Sequence, residues 1–181
     1  MTVQDRQVLL TRDDLENVPQ EMLPMPVLSD NLRSFFSWGI KSHTEGSYNH
    51  FMWMIHPGQL ASQNMLFQTQ SVKAYVDTCR LKLWYCKLWT DEQRHSVIKT
   101  IEDELGKPWY KRFYDYPAII GQLFWHGFQT PGLSICSDYG SLLRLVDGES
   151  YDLRHPDPEE VNKWLISKPC QYEVYGRYLP D

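Results

Sequence analysis

The chain has 181 residues, enough for one domain with a real core. Hydrophobic residues make up 42% and charged residues 23%, which excludes a disordered chain. Lys and Arg number 18 against 23 Asp and Glu, a formal net charge of -5, which argues against a protein that grips nucleic acid through a broad basic face.

Residues 1–30 are punctuated by Pro19, Pro24 and Pro26 and read as an extended N-terminal arm, leaving 31–181 as a single domain. The first part of the arm, Met1 to Glu16, is polar and lacks the apolar stretch of a secretory signal. No run in the chain approaches the roughly 20 apolar residues of a membrane span. The expectation is a cytoplasmic protein without a membrane span. Leu32, Phe35, Phe36 and Ile40 recur at helical spacing and predict a short helix over 31–42. The run 49–55 is bulky and apolar and reads as a buried strand. It ends at His56-Pro57-Gly58, a turn that returns the chain into a second strand from Leu60 to Phe67. Ser71 to Asp77 reads as a short helix or turn, and Arg80 to Leu88 as a further strand.

Thr90 is a candidate N-cap, with Gln93 at the capping-box position. Val97, Ile98, Ile101 and Leu105 form the apolar stripe of that helix. Gly106 is expected to supply a left-handed stop, and Pro108 bars continuation. Residues 109–130 are rich in aromatics, and 118–128 suit a buried helix. Gly132-Leu133-Ser134 reads as a loop feeding a helix that carries Tyr139, Leu142, Leu143 and Val146. Asp157-Pro158 opens another helix, with Val161, Trp164 and Leu165 on its buried face. Gln171 to Tyr178 reads as the last strand. The fold class is therefore α+β, a small antiparallel sheet packed against helices.

The four cysteines, Cys79, Cys86, Cys136 and Cys170, form no CxxC pair and read as reduced thiols. Cys136 stands at the start of a helix, where unpaired N–H groups favour a thiolate and an oxyanion. A thiolate needs a positioned imidazole, and His50 opens an otherwise apolar strand. A buried inert cysteine and a core histidine are the alternatives. No short-spaced His or Cys pairs suggest a metal, and no glycine-rich nucleotide loop is present, so no cofactor is expected.

These residues carry a resemblance. Ser47-Tyr48-Asn49-His50 opens a strand, followed by Pro57-Gly58 and Leu60-Ala61-Ser62. Further on stand Leu88-Trp89-Thr90, Gly106-Lys107-Pro108-Trp109-Tyr110, Ile135-Cys136-Ser137-Asp138 and Asp157-Pro158-Glu159-Glu160. In order and spacing the chain resembles a circularly permuted papain-like hydrolase of the NlpC/P60 superfamily, in the group with the YiiX/YaeF-type amidases. The resemblance implies a permuted papain-like fold and a cysteine hydrolase or acyltransferase. Cys136 would attack the carbonyl and His50 would serve as base and then acid. A polar group on the following strand would orient His50: Gln63, or else Ser62. Tyr48, Ser62, Ser137 and Asp138 would line the substrate. Cell-wall peptides or lipid-linked amides are the substrates it implies. The alternative is an inactive papain-like binding protein, for example a phage accessory or virion protein.

Overall fold

The structure, a computed structural model, describes residues 8–31, 47–63, 66–113, 136–148, 153 and 156–180; at 136–138 it describes the backbone alone. Six strands form one sheet: β1 (Met25–Asn31), β2 (His50–His56), β3 (Gln59–Gln63), β4 (Phe67–Ser71), β5 (Cys79–Cys86) and β6 (Tyr172–Tyr178). Their order is β4-β3-β2-β1-β5-β6 and every neighbouring pair is antiparallel. Among the described residues the helices are α1 (Arg12–Glu16), α2 (Lys73–Val76), α3 (Asp91–Leu105), α4 (Arg144–Asp147) and α5 (Pro158–Ile166). Short 3-10 helices span Gln20–Met22, Trp109–Lys111 and Cys136–Leu143. The architecture is α+β, as expected. None of these helices is long and apolar enough to cross a membrane.

Strand β2 explains the layering. Successive side chains in a strand point to opposite faces. Phe51, Trp53 and Ile55 therefore face one layer, and Met52 and Met54 the other; all five are buried. On the first face they meet Trp89, Val97, Ile101, Leu143, Val161 and Trp164, contributed mainly by α3, α5 and the helix Cys136–Leu143. This is the helical face. On the second face Met52 and Met54 pack with Leu15, Val18, Met25, Val27, Tyr75 and Val76, contributed by β1, α1, α2 and the chain between them. A strand covered on both sides reads as a continuous apolar run.

The Pro57-Gly58 turn joins β2 to β3 as expected. Gly58 has φ 67°, a conformation that favours glycine, and a Cβ there would crowd the Glu16 Cα at 3.3 Å. The caps of α3 and α5 also follow the sequence. The side chains of Thr90 and Gln93 bond each other's backbone N–H, and Asp157 and Glu160 do the same.

Several expectations are corrected. Residues 8–31 are no arm: Leu10, Leu15, Val18 and Leu23 are buried, and β1 lies inside the sheet between β2 and β5. Proline suggested an extended lead-in, but Met25 and Val27 on one face and Leu28 on the other bury fully. The second hairpin strand stops at Gln63, and β4 is a separate strand. Its sequence FQTQS holds one apolar residue and gives little hydrophobic signal. Gly106 stays right-handed at φ -74°, so Pro108 is what ends α3. The helices expected over 31–42 and 118–128, and the loop 132–134, lie outside the described residues, apart from Asn31, which ends β1.

The outer edge of β6 is covered by residues 8–10. Leu9 bridges Arg177 in parallel, Leu10 N–H donates to the Arg177 carbonyl at 2.8 Å and Arg177 N–H to the Val8 carbonyl at 2.9 Å. Leu10 fills the space over Gly176, where a Cβ would come within 2.5 Å of its Cγ.

Candidate functional site

His50 opens β2 opposite Ser29 of β1. Alternation places it with Met52 and Met54, on the face away from the helical layer. Its Nε2 lies 2.9 Å from Ser62 Oγ, Ser62 Oγ lies 2.7 Å from the Tyr75 hydroxyl, and that hydroxyl donates to Gln70 Oε1 at 2.5 Å. The direction of the chain follows from proton counting. A tyrosine hydroxyl has one proton, and it goes to Gln70. Ser62 must then donate to Tyr75, and the Ser62 oxygen accepts from His50 Nε2–H. The neutral imidazole therefore carries its proton on Nε2. Burial pushes the His50 pKa down to about 4, so the ring is uncharged at neutral pH.

This geometry excludes Ser62 as a nucleophile. The histidine donates to it and leaves no lone pair to take its proton, and Ser62 is 0% exposed. The four groups form a hydrogen-bonded relay whose middle, Ser62 and Tyr75, is buried. Ser62→Ala leaves the His50 N–H and the Tyr75 oxygen without this partner. Urea unfolding is expected to report a loss of about 1–3 kcal/mol, and Ser62→Thr, which keeps the hydroxyl, a smaller one.

Gln63 does not orient His50. One position along β3 turns its side chain to the helical face, where Nε2 donates to the Arg112 carbonyl at 3.0 Å and Oε1 is buried without a hydrogen-bond partner. Ser62, the alternative, holds His50. Tyr48 packs against the helical-face core, and burial raises its hydroxyl pKa. Cys136 is the first residue of the helix Cys136–Leu143, which is 3-10 rather than α. That helix packs on the helical face of β2: the Tyr139 carbonyl accepts from Trp53 Nε1–H at 2.8 Å, and its ring stacks on Phe67 at 3.9 Å. His50 and the helix that opens at Cys136 thus lie against opposite faces of the sheet. The side chains of Cys136, Ser137 and Asp138 lie outside the described residues.

Of the other cysteines, Cys79 and Cys86 are buried and burial raises both thiol pKa values, so neither is a ready nucleophile; Cys170 is exposed. No three His, Cys, Asp or Glu side chains among the described residues are grouped to hold a metal ion. Tyr75 and Gln70 carry no spacing signal, and only the pairing of β3 with β4 and the placement of α2 bring them to Ser62. Gln70 also borders a polar cleft of about 400 Å³ lined by Glu16, Gly58, Gln59, Thr69, Ser71 and Lys73. Lys73 Nζ and Glu16 Oε2 stand 3.2 Å apart there.

Set against protein-family models and against curated proteins, the chain matches none. The resemblance to papain-like hydrolases is one of motif order and spacing alone.

Proposed function

We propose that this chain is a non-catalytic relative of the papain-like hydrolases it resembles, kept for binding. One observation carries the reading: the His50 ring and the helix opening at Cys136 lie against opposite faces of the sheet. A thiol and an imidazole act together only within hydrogen-bond reach. Here the imidazole is instead held neutral by burial and spends its Nε2 proton on Ser62. The cleft beside Gln70 offers a small ligand polar groups of both charges, Glu16 and Lys73 among them.

The cysteine hydrolase remains a second reading, favoured by the position of Cys136 at the first residue of a helix packed on β2. Alkylation separates the two. The rate at each cysteine is followed against pH by peptide mass spectrometry on the folded protein, with exposed Cys170 as the internal standard. The expected result is an ordinary thiol at Cys136, with the usual thiol pKa of about 8.5, unchanged by His50→Ala or His50→Gln. A Cys136 that reacts well below that pH, and loses this in both variants, overturns the binding reading and restores the hydrolase.

A further inference from the structure

The cleft beside Gln70 is built from four elements. They are the end of α1 with Glu16, the start of α2 with Lys73, the Pro57-Gly58 turn and the end of β4. These elements are tied to one another. Val72 N–H donates to the Gly58 carbonyl at 2.8 Å, which joins the turn to the corner between β4 and α2. Glu16 closes on the same turn, its Cα next to Gly58. Arg12 donates to Asp77 Oδ1 at 2.7 Å, which joins α1 to the residue that ends α2. The cleft is therefore formed before any ligand arrives, and this lowers the cost of binding.

Lys73 Nζ and Glu16 Oε2 are 3.2 Å apart in this cleft, and both side chains reach solvent. An exposed pair of this kind gives the fold little stability. Its two charges do select among ligands. A lone anion that approaches Lys73 meets the Glu16 carboxylate beside it, and a lone cation at Glu16 meets the Lys73 ammonium. A ligand that carries both charges avoids either repulsion. In an α-amino acid one carbon bears the ammonium and the carboxylate, so the two stand about as close together as the two protein charges. With its carboxylate on Lys73 and its ammonium on Glu16, every charge has opposite neighbours. Gln59, Gln70 and Ser71 give the same cleft polar groups for the rest of the ligand. We infer that the cleft binds a free α-amino acid as its zwitterion, held between Lys73 and Glu16. This rests on the binding reading proposed above and names its ligand class.

Glycine is the probe, with acetate and methylammonium as its two halves. Backbone amide resonances of the full chain are followed by NMR as each is added. Glycine is expected to shift Gly58, Gln59, Ser71 and Lys73 with a Kd of about 1 mM, and each half to bind about tenfold more weakly or less. Glu16→Gln and Lys73→Gln should each weaken glycine by about tenfold. The exchange Glu16→Lys with Lys73→Glu restores a pair of opposite charges and should recover the binding. Either half binding as well as glycine overturns the inference in favour of a simple ion site, and the cleft stays a binding site. Cleft amides that none of the three compounds shifts also overturn it. Alkylation of Cys136 does not involve the cleft, so it judges the binding reading separately.

Discussion

Trp53→Ala is expected to lower folding stability by about 3–5 kcal/mol, the range for removing a large buried aromatic. Trp53 is 0% exposed and sits in the middle of β2 on the helical face. Its ring meets Phe51 edge-on at 5.6 Å and Trp89 at 6.1 Å. Its Nε1–H is also the donor to the Tyr139 carbonyl, so the same side chain that fills the core holds the helix Cys136–Leu143 on the sheet. Alanine removes both effects and leaves a cavity. Trp53→Phe separates them: most of the volume stays, the donor goes, and the expected loss falls to about 1–3 kcal/mol. Urea unfolding followed by circular dichroism gives both values. A loss below 1 kcal/mol for Trp53→Ala would mean that the two layers do not meet at this residue.

The second large effect is on acid stability. The folded-state pKa of His50 is about 4, against 6.5 for the unpaired group. Above pH 6.5 both states hold His50 neutral and the ring contributes nothing to the pH dependence. Between 6.5 and 4 the unfolded chain binds a proton that the folded chain refuses, so stability falls as pH falls. The slope approaches 1.4 kcal/mol per pH unit, and the accumulated loss is about 3 kcal/mol. Asp147 and Asp157 act in the opposite sense, because burial raises their pKa values and the folded state takes up their protons first. The readout is therefore a difference. Stability is measured from pH 8 to 4 for the wild type and for His50→Gln, and the variant is expected to lack the decline that begins near 6.5. Parallel curves for the two proteins would place His50 in contact with water.

Much of the fold is legible because local rules agree with the tertiary structure. Thr90 with Gln93, and Asp157 with Glu160, mark helix starts that the structure keeps. Pro57-Gly58 marks the hairpin, and the bulky run after Asn49 marks the strand. The failures have physical causes. Pro24 and Pro26 concealed β1, since backbone restrictions say nothing about burial supplied from both sides. FQTQS concealed β4, since an edge strand needs few apolar residues. The candidate site was harder still. In a strand that is apolar on both faces, nothing local tells which face will meet which layer. The strands that carry His50 and Gln63 are legible, but the faces those side chains take are not. One position along β3 separates Ser62, which reaches His50, from Gln63, which turns toward Arg112.

The clasp of Val8 to Leu10 on β6 bears on how the protein is made. A ribosome makes residues 8–10 well before residue 177, which they meet in the fold. During that interval Leu10 has no Gly176 to cover, and β5 lacks its outer neighbour. The β2-β3-β4 meander can form early from nearby sequence. The β5-β6 edge waits until synthesis has passed its end. Such distant pairing slows folding and leaves strand edges open while it is pending. Nascent chains of this protein would therefore hold five strands with the β5 edge unpaired until β6 is made.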